Sequence, residues 1–217
     1  MAGPVSASPL GVAVLISGTG SNLKTLIDAQ RVGALDIDIR CVISNRATAP
    51  GLKHAETAAI PHFIIDAHST GDGRAQDRAI TARLGDGRIG LAVLAGYMRI
   101  LGTAPVERFA GRMINLHPSL LPAYPGLDTY RRVLAAGDRE HGASIHFVTP
   151  ELDGGPVISQ VRIPVRRDDD DRSLAARLAP REHRLLVATV ELFAQRRVEM
   201  VGGQVALDAE ILPRPLL

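Results

Sequence analysis

Apolar runs alternate with amphipathic stretches along the first half of the chain. Leu10–Ile16 is a short apolar segment, closed by Ser17-Gly18-Thr19-Gly20-Ser21-Asn22. Beyond this turn Leu23, Leu26 and Ile27 fall at i, i+3 and i+4, the spacing of one helix face. The alternation then repeats. Strands are expected at Ile37–Ser44 and over residues 62–66, 89–95 and 112–116, with helices over 50–59, 74–84 and 104–110. Residues 67–73, rich in Gly, Asp and Ser, read as a loop. The run 89–95 is apolar almost throughout, as a parallel strand covered on both faces must be. Repeated strand, turn and helix predict an α/β domain with a Rossmann-like parallel sheet.

After Gly126 the pattern changes. A helix is expected over 127–136 and strands over 142–148 and 157–163, the two strands separated by the turn Asp153-Gly154-Gly155-Pro156. So short a loop cannot hold a helical crossover, so this pair is expected to be antiparallel. The acidic run 168–171 reads as the capped start of a long helix over 173–197, with a bend expected near Pro180. Residues 199–207 read as a final strand or hairpin. The pattern therefore predicts one domain over residues 10–207. Its two halves are expected to meet near residue 110, the first covering about 10–110 and the second about 111–207. The termini, 1–9 and 208–217, are expected to be loose.

Composition narrows the class. Hydrophobic residues make up 46% of 217, enough for a substantial core, so intrinsic disorder is excluded. Aromatics are 3% with no Trp, so that core must be aliphatic. Lys and Arg number 25 against 23 Asp and Glu, a balance that argues against a nucleic-acid partner. The single cysteine, Cys41, allows no intrachain disulfide and no cysteine metal cluster, and its apolar neighbours mark it as core. The N-terminal residues lack a basic segment, and the apolar run behind them is too short for a signal peptide or a membrane span. A cytoplasmic protein with no membrane partner is expected.

Two stretches carry candidate chemistry. In Asn115-Leu116-His117-Pro118-Ser119-Leu120-Leu121-Pro122-Ala123-Tyr124-Pro125-Gly126, Asn115 and His117 stand two apart. On an extended backbone they share one face. The prolines then stiffen the loop, and Leu121-Pro122 is a candidate cis peptide. A solvated proline-rich loop is the competing account. The second stretch is the glycine turn, where exposed N–H groups at a helix start favour an anion. It lacks the Gly-Lys-Ser/Thr of a P-loop, and Leu23 replaces the third small residue of a dinucleotide fingerprint. A capped turn without ligand is the alternative to a phosphate monoester site.

Five blocks taken together resemble the phosphoribosylglycinamide formyltransferases. They are Ile16 to Leu23, Ala95 to Leu101, Asn115 to Gly126, His141-Gly142 and Glu151 to Val157. The resemblance implies the formyltransferase fold. It also implies transfer of formyl from 10-formyltetrahydrofolate, a co-substrate, to the amine of glycinamide ribonucleotide, with no metal required. It assigns Asn115, His117 and Asp153 to catalysis. Asn115 and a protonated His117 can donate to a tetrahedral oxyanion, and Asp153 beside His117 is expected to raise the imidazole pKa. The resemblance assigns Gly20, Ser21, Asn22, Leu23, Lys24 and Glu182 to the ribonucleotide. Arg74, Met98, Arg99, Ile100, Leu101, Asn115, Thr149, Pro150, Glu151, Leu152 and Asp153 go to the folate. His146, alternating in a strand, reads as structural, and His141 stays open between turn and site. A homodimer is expected from relatives alone. Formyltetrahydrofolate hydrolase and a non-catalytic folate- or nucleotide-binding module are the competing functions. Methionyl-tRNA formyltransferase would bring a further tRNA-binding domain and a basic surface.

Overall fold

The computed structural model describes residues 8–217. In chain order it contains β1 (Leu10–Ile16), α1 (Ser21–Arg31), β2 (Ile37–Ser44), α2 (Leu52–Thr57), β3 (His62–Ile64), α3 (Ala67–Thr70), α4 (Gly73–Leu84), β4 (Leu91–Leu94), α5 (Thr103–Arg108) and β5 (Met113–His117). Then follow α6 (Thr129–Ala136), β6 (Glu140–Phe147), β7 (Val157–Pro164), α7 (Asp171–Ala194), β8 (Val198–Val201), β9 (Gln204–Leu207) and β10 (Glu210–Ile211).

Seven strands form one sheet in the order β3-β2-β1-β4-β5-β6-β7. Neighbours from β3 to β5 are parallel, and the β5–β6 and β6–β7 pairs are antiparallel. The architecture is the mixed α/β sheet that the hydrophobic pattern predicts. Strand β1 shows why both faces must be apolar. Val12, Val14 and Ile16 pack on one side with Leu23 and Leu26 of α1 and Leu174, Leu178, Leu186 and Val190 of α7. Ala13 and Leu15 pack on the other with Ile80 and Leu84 of α4 and Val106 and Phe109 near α5. Period-two alternation along a strand that is buried on both sides thus sorts residues between two aliphatic cores.

Local chemistry sets the helix starts. Asp170 caps α7 by accepting from Ser173 N–H at 2.7 Å, and Ser173 returns a bond to the Asp170 N–H. Asp169 pairs with Arg177 one turn further on. The helix is continuous through Pro180.

Of the two forms expected for 199–207, the segment takes the hairpin, β8 with β9, and β10 joins them in a separate three-stranded sheet. Two readings are corrected. Residues 67–73 are not all loop: Asp66 accepts from Ser69 N–H at 2.7 Å and caps the short helix α3. The C-terminal segment 208–217 is not loose. Leu216 N–H donates to Ile158 O at 2.9 Å, and Gln160 N–H donates to Leu216 O at 2.8 Å. The outer edge of β7 carries unpaired backbone groups, and the tail satisfies them as a short parallel bridge. The expectation for residues 1–9 falls mainly on 1–7, which lie outside the described residues.

Candidate active site

Strand β5 ends where the sheet changes from parallel to antiparallel pairing, at the carboxyl edge of the parallel strands, where open α/β sheets hold their ligands. Its last residues project Asn115 and His117 to one face. The register pairs Asn115 with His146 and His117 with Ser144 on β6, so these four side chains share that face. The Leu121–Pro122 peptide is cis. A closed polar network holds the proline loop down. Ser144 Oγ donates to Ser119 O at 2.6 Å and accepts from Leu121 N–H at 3.0 Å and Gln160 Nε2 at 2.9 Å. Gln160 also donates to Leu121 O at 2.9 Å. Ser119, Ser144 and Gln160 are buried, so each bond is made where an unpaired group would be costly.

Asp153 comes to the same point from the loop between β6 and β7. Its backbone is left-handed, φ 49°, which aims the carboxylate back at β5. Oδ2 accepts from Gly126 N–H at 2.8 Å and lies 3.5 Å from His117 Nδ1. Oδ1 lies 3.4 Å from Asn115 Nδ2 and 3.5 Å from His146 Nε2. The expected trio is therefore together, and a fourth member, His146, joins it. His146 Nδ1 lies 2.9 Å from Phe147 O, and Nε2 stands between the Asn115 amide, 3.1 Å away, and Asp153 Oδ1. The sequence signal for His146 was its polar identity, with Ser144, at alternate positions of an otherwise apolar strand.

The protonation expected for His117 is corrected. Burial lowers its pKa below the ordinary histidine value; the Tyr124 carbonyl and then Asp153 raise it, without reversing the shift. Nε2 donates to Tyr124 O at 2.9 Å, so the neutral ring presents the Nδ1 lone pair to Asp153. Burial raises the Asp153 pKa, but the His146 and Gly126 hydrogen bonds and the nearby histidines bring it below the usual carboxylate value. Burial thus favours the neutral form of His117, and the hydrogen bonds to Asp153 favour its carboxylate. His141 is buried with Nε2 unpartnered, packs edge-on to Tyr130 at 5.0 Å, and burial pushes its pKa down to about 4.

The glycine turn has the form of an anion cradle. Gly20 is left-handed, φ 72°, and a Cβ there would lie 2.7 Å from Gly51 Cα. No side chain caps α1, so its first N–H groups are open. Asn22 Oδ1 is buried without a partner. Leu23 is wholly in the core and can contribute only backbone. Lys24 Nζ pairs with Asp28 at 2.5 Å along the exposed helix face. Glu182, on α7, is 3.5 Å from the Tyr130 hydroxyl, and burial pushes its pKa up to about 7.

Apolar groups stand exposed on two loops, Met98 at 60% and Ile100 at 70% beyond β4 and Leu152 at 52% next to Asp153. Arg99 turns away from them, pairing with Asp77 at 2.7 Å and donating to Gly73 O at 2.7 Å. An open cleft of about 570 Å³ joins Arg99, Ile100 and Leu101 to Asp72, Arg74 and Asp77, so Arg74 lies at one end of this wall. Thr149, Pro150, Glu151 and Leu152 form the loop that leads into Asp153; Thr149 and Gly154 both bond the Glu151 carbonyl. Among the described residues, no helix is long and apolar enough to cross a membrane.

The end of β5 thus gathers Asn115, His117, His146 and Asp153, and the start of α1 carries no side-chain cap. The chain belongs to the formyl transferase family, whose pattern matches residues 10–190. It is 43% identical over 204 residues to the phosphoribosylglycinamide formyltransferase of Escherichia coli K12, covering 94% of this chain and 96% of that one. The phosphoribosylglycinamide formyltransferase structure from Coxiella burnetii superposes with a TM-score of 0.89 at 45% identity, covering 94% of this chain and 96% of that one. A formyltetrahydrofolate deformylase structure from Pseudomonas syringae shares the fold at TM-score 0.86 and 27% identity, but there this chain covers 93% of itself and only 67% of the other.

Proposed function

We propose that this chain transfers the formyl group of 10-formyltetrahydrofolate to the amine of glycinamide ribonucleotide. Support comes above all from the meeting of Asn115, His117 and Asp153 at the end of β5, in a chain similar over nearly its whole length to phosphoribosylglycinamide formyltransferases. The ribonucleotide phosphate sits on the open N–H groups of Gly20 to Leu23 at the start of α1, with Lys24 beside it and Glu182 toward its sugar or amine end. The pterin lies against Met98 to Leu101, the 149–153 loop folds over it, and Arg74 faces the glutamate tail.

The amine nitrogen attacks the formyl carbon, and the carbonyl oxygen becomes an oxyanion. The Asn115 N–H that makes only a 3.4 Å contact with Asp153 is free to turn to it. His117, neutral at rest, takes the proton lost by the amine on Nδ1, and the new imidazolium pairs with Asp153. When the bond from carbon to the folate nitrogen breaks, His117 returns that proton to the leaving nitrogen. Formylated ribonucleotide and tetrahydrofolate result; the proton lost by the amine ends on the folate nitrogen, and none is released to or taken from solvent.

The deformylase likeness favours one alternative, transfer to water. Consumption of 10-formyltetrahydrofolate, followed with and without glycinamide ribonucleotide, decides between them. Turnover is expected only with the amine present; an equal rate without it identifies a hydrolase, and none in either case identifies a binding module.

A further inference from the structure

Ser17 follows the last residue of β1 as the first residue of the glycine turn and is 2% exposed. Its N–H donates to Gly96 O at 3.1 Å, the last rung between β1 and the segment beyond β4. There Gly96, at φ 74°, swings the chain off the ladder. The Ser17 hydroxyl catches it again: Met98 N–H donates to Oγ at 2.7 Å. The hydroxyl's own proton goes to Asn45 Oδ1, 2.5 Å away and one residue past β2. A hydroxyl has one hydrogen and two lone pairs. With the hydrogen held by Asn45, a lone pair is left facing the Met98 amide. Three neighbouring strand ends therefore meet on a single oxygen. Tyr97 and Leu101 pack into the core on either side, but between them the Met98 and Ile100 side chains stand in solvent and Arg99 turns outward to Asp77, so the Ser17 hydroxyl is the anchor of the Met98 backbone.

We infer that Ser17, oriented by Asn45, is a positioning residue for the folate-facing segment 96–101. Ser17 opens the phosphate turn, yet its side chain serves the other substrate. The inference rests on the assignment of residues 98–101 to the pterin wall made above. Removing the hydroxyl leaves the Met98 amide unpaired and loosens the backbone between the buried Tyr97 and Leu101, so the pterin meets a wall of variable shape. The phosphate turn keeps separate supports, Gly51 N–H on Gly18 O at 3.0 Å and Lys24 N–H on Gly20 O at 2.8 Å.

The test is steady-state kinetics on wild type, Ser17→Ala, Ser17→Thr and Asn45→Ala, each substrate varied at saturating levels of the other. The folate KM is expected to rise about five- to tenfold in Ser17→Ala and Asn45→Ala, the size of one lost hydrogen bond. Ser17→Thr, which keeps the hydroxyl, should stay within about twofold of wild type, as should kcat and the ribonucleotide KM in all three variants. Melting curves accompany each protein, and Asn45→Ala, at a half-buried position, carries the test if Ser17→Ala does not fold. An unchanged folate KM in the variants, or an equal rise in both KM values, overturns the inference. Calorimetric titration with tetrahydrofolate separates it from the catalytic reading. Wild type without amine-dependent turnover overturns that reading alone, whereas weaker tetrahydrofolate binding in Ser17→Ala and Asn45→Ala still supports the role of Ser17.

Discussion

His117 and Asp153 behave as one acid–base unit whose resting charge is set by burial. Since desolvation holds the His117 pKa below its ordinary value, the neutral ring prevails at neutral pH. The acid limb of kcat/KM is then expected below about 6.5, with activity lost as pH falls through it. Asp153→Asn tests the coupling. Asn tolerates the left-handed backbone at position 153, so the fold should survive. Loss of the carboxylate removes an influence that raises the His117 pKa, so the acid limb should move lower still, while the plateau falls by about 100-fold or more. A limb that moves upward would contradict the assignment. His117→Ala should lose about 10²–10⁴ in kcat and keep ribonucleotide affinity, measured by titration. Asn115, His117 and Asp153 were legible in the sequence because two short motifs name them. The sign of the His117 shift was not, because it depends on how deeply the β5 end is buried. Nor was the place of His146 at Asn115, which needs the β5–β6 register.

Glu182 makes its contribution to stability in the direction opposite to a paired carboxylate. With its folded pKa raised to about 7 by burial against roughly 4.5 unfolded, the native state binds the extra proton. Its contribution is therefore fully present below about 4.5 and is lost as pH rises through about 7. Glu182→Gln should be increasingly stabilising, relative to wild type, from pH 5 to pH 8, by about 2–3 kcal/mol in urea unfolding. A difference independent of pH would place Glu182 in water. The β6–β7 pair makes a second prediction about an element. A Cβ on Gly155 would stand 1.8 Å from Phe147 O, backbone against backbone. Gly155→Ala should cost roughly 3 kcal/mol or more. Gly33→Ala, at φ 73° but in open space, should cost about 1–2 kcal/mol. Element types and order were readable from periodicity alone. The short helix α3 escaped because its cap, Asp66 with Ser69, sits in a stretch whose composition otherwise spells loop.

At the scale of the whole molecule, the sheet is bordered on one side by β3 and on the other by β7, whose edge the chain's own tail occupies. Deleting residues 213–217 removes the two Leu216 backbone bonds, each worth about 1 kcal/mol. The melting temperature should fall by about 4–8 °C, and light scattering should show association through the bared strand. An unchanged melting temperature would mean that water replaces the tail at no cost. This contact was invisible in the sequence, since a bridge made by one residue leaves no periodic trace. The doubly apolar centre of the sheet was plain, because burial on both faces demands unbroken hydrophobic runs.

Position 153 faces two independent filters when every amino acid is tried there. The backbone admits residues at ease with φ near 49°, mainly Gly, Asn and Asp. The site admits only an acceptor of the right reach and charge, which leaves Asp. A saturation library at this codon should therefore sort into three classes. Asp alone complements growth that depends on the enzyme, Asn and Gly give soluble but inactive protein, and Glu fails despite its charge. Conservation at such a position would follow from a torsion angle as much as from chemistry.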